Sequence, residues 1–143
     1  MKHKRFLSIL LALVMVFTLL PVLTPPAKAA GDVPINSTYF PDDNFRGYIS
    51  EFLDENNNNK LDEDEITGVV RLYLDNEGIK DLTGVEYFTA LTYLDVENNS
   101  LTELDLTSNT ALEHVFCRNN NLKKLNVEGL SGQTASSRRG RLR

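Results

Sequence analysis

Leu91, Leu94, Val96, Asn99 and Leu101 return 21 residues later as Leu112, Val115, Cys117, Asn120 and Leu122. Val69, Leu72, Leu74 and Ile79 already set the same phase upstream, with Glu77 standing where the later units carry Asn. A unit of this length cannot bury its apolar edge alone, so successive units must stack, and a fixed period implies a solenoid. About three turns fit between Val69 and Leu130.

The formula L-x-x-L-x-L-x-x-N-x-L at this period is that of a leucine-rich repeat. The expected fold is a short α/β solenoid with one strand per turn in a curved parallel sheet. The register is ambiguous, because Leu101, Leu104, Leu106 and Asn109 obey the same formula as Leu91, Leu94, Val96 and Asn99. Phe116 and Cys117 favour a strand through Leu94 and Val115, whereas Thr107 to Ala111 reads as a turn on the convex side.

Residues 1–29 read as a secretory signal peptide. Lys2, Lys4 and Arg5 precede an uncharged apolar run from Phe6 to Leu20, and Ala27-Lys28-Ala29 offers a small-residue cleavage site. Without them the chain carries 11 positive and 20 negative side chains, a net charge of −9. That acidity argues against nucleic-acid binding, which needs a basic stripe against phosphates. Cys117 is the only cysteine, so no internal disulfide is available, and its repeat position reads as core.

Residues 30–68 read as an extended lead-in and a helical cap. Pro34 and Pro41 flank a polar stretch; Asp42 or Asp43 then caps a helix whose covered face is Phe45, Tyr48, Ile49, Phe52 and Leu53. A polar loop and a brief acidic segment ending in Ile66 lead into the repeats at 69–130. Residues 131–143, SGQTASSRRGRLR, have no apolar period and read as a disordered, solvated tail whose arginines could grip an anionic surface. An uncapped third turn predicts low stability or self-association through that turn.

Within the cap, Asp54 to Glu65 reads DENNNNKLDEDE. Asp54, Asn56 and Asn58 fall at positions 1, 3 and 5 of a twelve-residue EF-hand loop, Lys60 at 7 through its carbonyl, Asp62 at 9 and Glu65 at 12. Position 6 ordinarily requires glycine, and here Asn59 must take the left-handed turn, which Asn tolerates best after Gly. The expected cofactor is one structural Ca2+ of modest affinity.

FPDDNFRGYI before this loop, LTGVEYFTALTYLDVENNSLTELDL and TSNTALEHVFCRNNNLKKLNV resemble exported bacterial leucine-rich repeat proteins of the internalin type. The resemblance spans Phe40 to Leu130. It implies a secreted, extracellular or wall-associated protein that binds a protein or carbohydrate partner on its concave sheet. It places Arg71, Tyr73 and Asp75, then Tyr93, Asp95 and Glu97, then His114, Phe116 and Arg118 on that face, and period two supports the assignment. Tyr73, Asp95 and Phe116 form one expected column, with Arg71, Tyr93 and His114 beside it. Asn99 and Asn120 resemble the family's buried ladder, whose amides satisfy backbone groups.

The chain offers two histidines, His3 and His114, and no nucleophile triad, CxxC, HExxH or phosphate loop. An enzyme is not expected. The competing reading is an amino-terminal fragment or spacer of a longer surface protein, without binding activity of its own.

Overall fold

The computed structural model describes residues 31–130 and the backbone of a strand at Thr134–Ser136. The signal-peptide reading of residues 1–29 falls outside the described residues. Strand β1 (Val33–Pro34) leads to Asn36, whose side chain accepts from the Thr38 N–H at 2.9 Å and turns the chain inward toward Phe40. Helix α1 (Asp43–Phe52) follows. Asp42 caps it by accepting from the N–H groups of Asn44 and Phe45, both at 3.0 Å, which satisfies donors that lack intrahelical partners. Phe45 and Ile49 are fully buried. Phe52, expected on the covered face, is instead 59% exposed and rests against the Tyr48 ring at 4.9 Å; it is the last helical residue, and the chain turns away behind it at Leu53.

Strand β2 (Lys60–Leu61) pairs antiparallel with β1, Val33 opposite Leu61. The acidic segment after it is a six-residue helix, α2 (Glu63–Gly68). It forms because Asp62 accepts from the Glu65 N–H at 3.0 Å while Glu65 accepts from the Asp62 N–H at 2.9 Å, a reciprocal capping box.

The solenoid runs through β3 (Arg71–Tyr73), a 3-10 turn (Val85–Tyr87), β4 (Tyr93–Asp95), β5 (Glu103–Asp105), β6 (His114–Phe116), β7 (Lys124–Asn126) and β8 (Thr134–Ser136). One parallel sheet has the order β3-β4-β6-β8, with Leu72, Leu94, Val115 and Ala135 in register. A second pairs β5 with β7, Leu104 beside Leu125. Both halves of the repeat formula therefore form strands, because each turn presents two flat sides to its neighbours. A single core fills the space between them and reaches from Val33 to Cys117.

The tail reading is corrected at one point: Thr134–Ser136 is a strand, parallel to β6. The β6 edge otherwise offers unpaired N–H and C=O groups that a following segment can satisfy. The open-edge argument for instability thus loses that strand. The remainder of 131–143 is outside the described residues.

Asn99 and Asn120 tie the turns together. The Asn99 oxygen accepts from the Ile79 N–H at 2.9 Å, and its nitrogen donates to the carbonyls of Leu74, Val96 and Glu97 at 2.6, 3.1 and 3.0 Å. Asn120 repeats the pattern, accepting from Leu101 and donating to Val96, Cys117 and Arg118. Each amide reaches back to the preceding turn. Glu77 is therefore no defect in the first turn, since only the cap lies behind it, and Asn44 of α1 donates there to the Gly78 carbonyl at 3.1 Å.

Cys117 is buried, and burial, then the nearby Glu97 carboxylate, push its thiol above the ordinary range. Thiolate is the reactive form. Iodoacetamide at pH 8 is expected to leave the native chain unmodified and to alkylate Cys117 rapidly in urea, read by mass spectrometry; equal rates in both conditions would show the third turn to be open.

Candidate functional site

Strands β3, β4 and β6 carry Arg71, Tyr93 and His114 in one column and Tyr73, Asp95 and Phe116 in the next. Period-two alternation buries Leu72, Leu94 and Val115 and sends these six outward. Their rings make a diagonal chain across the columns. Tyr73 and Tyr93 lie 5.1 Å apart at 41°, and Tyr93 and Phe116 lie 5.4 Å apart at 39°. His114 adds a third contact to Tyr93 at 6.2 Å, and the Arg71 guanidinium sits 5.6 Å from the same ring's centre. Tyr93 is the hub. Burial, then Asp95, raise the pKa of its phenol, so it stays a neutral donor and acceptor.

Tyr73 is 51% exposed, which leaves an aromatic surface in water at the cap end of the sheet. Arg71 donates to the Tyr73 hydroxyl at 3.4 Å and holds that ring's edge. Beyond the strands, Asp95 accepts from the Glu97 N–H at 3.1 Å, and Arg118 lies 3.6 Å from the Glu97 carboxylate. Asp75 is exposed past the end of β3. Eight of the nine expected residues are thus linked by register or contact, and Asp75 is peripheral.

The acidic loop gathers its polar side chains around backbone donors. Asp54, which is buried, accepts from the N–H groups of Asn58 and Asn59 at 3.0 and 2.9 Å. Asn56 accepts from Asn58 N–H and donates to Asp62, both at 3.1 Å; Asn58 accepts from Lys60 N–H at 2.8 Å; Glu65 reaches back to Asn56 N–H at 3.4 Å. Asn59 takes the left-handed conformation at φ 62°, and so does Asn57 at φ 57°. The Lys60 ammonium points away, to Asp32 at 3.2 Å. Among the described residues no three or more His, Cys, Asp and Glu side chains stand together as a metal shell. Asp54, Asp62 and Glu65 are each engaged by backbone N–H, with amide side chains between them.

Sequence reasoning missed the joint between cap and repeats. The second oxygen of Asp42 accepts from Lys80 and Asp81 N–H at 2.8 and 3.3 Å, so one carboxylate caps α1 and pins the first turn. Aspartate after Pro41 signals a cap, but its second partner is 38 residues away and leaves no local trace.

No protein-family model matches the chain. Internalin J of Listeria monocytogenes serotype 4b (strain F2365) is 33% identical over 81 residues, which are 57% of this chain and 9% of that protein. A solved functional domain of InlJ from Listeria monocytogenes, which includes a cysteine ladder, matches with TM-score 0.66 and 32% identity over 76% of this chain and 24% of that one. The InlF internalin structure from the same species matches with TM-score 0.56 and 22% identity, over 76% of this chain and 35% of that one, a likeness of fold. The chain thus spans a minor part of each of these proteins. This chain has a single cysteine, Cys117. Among the described residues no helix is long and apolar enough to cross a membrane. The repeat formula, the parallel sheet and these likenesses make the described part of the chain a leucine-rich repeat solenoid similar in sequence and fold to part of internalin J.

Proposed function

We propose that the chain is a secreted or cell-surface recognition module that takes a protein or glycan partner on its concave sheet. The observation that carries this reading is the aromatic chain Tyr73–Tyr93–Phe116 with Arg71 and His114 at its sides. Aromatic and arginine side chains grouped on a rigid sheet supply contact area at small entropic cost and dominate binding energies elsewhere. Tyr93→Ala and Phe116→Ala are each expected to weaken binding to whole cells or immobilised mucin at least about tenfold. Their melting curves should stay close to wild type, since neither residue belongs to the buried core. Unchanged adhesion in both variants would favour the spacer reading.

The cap is proposed to hold one structural Ca2+. Asp54, Asn56, Asn58, Asp62 and Glu65, with the Lys60 carbonyl, are a hard-oxygen set of the kind calcium takes, and the left-handed Asn57 and Asn59 wind the loop tightly. Bound there, the ion would neutralise three carboxylates that otherwise repel. Millimolar Ca2+ is expected to stabilise the fold by about 2 kcal/mol over EDTA, as linkage requires at a concentration well above Kd. Asp54→Asn and Glu65→Gln should lose that response. Glu65→Gln keeps an acceptor for the Asp62 N–H, so its loss reports the ion and not the capping box; identical melts in EDTA and Ca2+ would end the proposal.

A further inference from the structure

The solenoid has a second sheet with a free edge. The Leu106 N–H donates to the Asn126 carbonyl at 2.9 Å, and the Thr102 carbonyl accepts from the Lys123 N–H at 2.8 Å. Thr102, Leu104 and Leu106 therefore turn their backbone groups toward β7. Alternation along a strand turns those of Glu103 and Asp105 the other way, toward the first turn. The first turn carries the 3-10 turn Val85–Tyr87 on that side, and among the described residues no strand pairs with β5 there. A groove of about 530 Å³ opens between residues 80–86 and 102–108.

Leu82, Val85 and Leu104 are the buried apolar residues lining this groove. Asp81, Glu103 and Asp105 also line it, with Lys80 among the lining residues and Lys124 beside Glu103 on β7. The Thr83 and Thr107 N–H and hydroxyl groups fix Asp81 and Asp105 at 2.7 to 3.0 Å. The Thr107 N–H, then its hydroxyl, hold the Asp105 carboxyl below its usual range, so it stays anionic. An unpaired strand edge flanked by negative charge suits an extended segment with alternating positive charge.

Arg139-Gly140-Arg141-Leu142-Arg143 has that alternation. As a strand it shows three guanidinium groups on one face and Leu142 on the other. We propose that this segment of a second copy docks as an added parallel strand on the free edge of β5. With Leu142 beside Leu104, Arg141 falls beside Glu103 and Arg143 beside Asp105, and Leu142 faces Leu82 and Val85. The same chain cannot supply it. β8 ends at Ser136, three strand spacings from β3 and on the other sheet, at least about 14 Å away. The three residues from Ser136 to Arg139 span at most about 11 Å. The contact joins the tail of one copy to the body of another, so association grows with concentration.

The test is sedimentation of the full chain across a concentration series. Larger species are expected, and raising salt from about 0.05 to 0.5 M should disperse them. Glu103→Lys with Asp105→Lys, and Arg141→Glu with Arg143→Glu, should each weaken association about tenfold or more. A mixture of the two should regain it. A labelled peptide of residues 136–143 should bind wild type, and the same composition with its arginines made contiguous should bind about tenfold more weakly. These body substitutions are at exposed positions, and the peptide assay needs no altered protein. Monomer at every concentration, equal binding of both peptides, or association that survives both charge swaps through the third-turn residues Leu122, Leu125 and Val127 would each overturn the proposal.

Discussion

Asn99→Ala is expected to lower the unfolding free energy by about 3 to 5 kcal/mol, a large part of the stability of a domain this size. The substitution removes four hydrogen bonds and leaves the Ile79 N–H and the Leu74 carbonyl without their side-chain partner. Each buried orphan costs about 1 to 3 kcal/mol. Because Asn99 joins its own turn to the one before, the loss uncouples the first turn and its cap from the later turns, and a one-dimensional stack is least tolerant of a broken neighbour contact. Asn99→Asp separates shape from donation. It is isosteric, yet it sets a carboxyl against the carbonyls of Leu74, Val96 and Glu97. Those oxygens favour its neutral form, so the introduced group has a folded pKa above its unfolded value. Its stability contribution is then present below the unfolded pKa and lost as pH rises through the folded one. Urea melts at pH 4 and pH 7 should show that variant closer to wild type in acid; a variant as stable as wild type at pH 7 would show that the ladder is not what holds the turns.

The period of the repeats made the inward leucines and both outward columns legible, because a 21-residue unit fixes which residues share a face. The ambiguity between the Leu94 and Leu104 halves was real information, since both form ladders. Asn109 was readable in the same way. Its formula matched Asn99, and its amide donates from full burial to the Val85 and Phe88 carbonyls at 2.8 and 2.9 Å. The paired asparagines hide a second ladder. Asn98 and Asn119 take left-handed φ of 54°, as does Asn76 at 60°, and in Asn98-Asn99 and Asn119-Asn120 the turn-maker comes first and the ladder amide second. Asp62 and Glu65 show the limit of motif reading. One spacing serves both a capping box and two positions of a cation loop, and only the α2 geometry reveals the first role. Contacts between distant segments, Asp42 to Lys80 above all, have no periodic signature.

Gly84→Ala should be nearly as damaging, at about 3 to 5 kcal/mol, though it deletes no contact. Gly84 has φ +107° and starts the 3-10 turn. A methyl group there would stand 2.8 Å from the Tyr39 carbonyl and inside the contact distance of the Phe40 ring. Phe40 cannot yield, since it is fully buried between Phe45 at 6.0 Å and Tyr87 at 5.8 Å. The lead-in must lift, and the strain falls on the joint between cap and solenoid. Gly129→Ala is the control. It has φ +85° with nothing within 4 Å, so it carries only the conformational penalty of about 1 kcal/mol. Hydrogen exchange should show early loss of protection in α1 and the 35–40 segment of Gly84→Ala, with β4 and β6 protected longer. Uniform loss across all turns would mean that cap and repeats melt as one unit, and equal costs at Gly84 and Gly129 would mean that Phe40 is not wedged against the first turn.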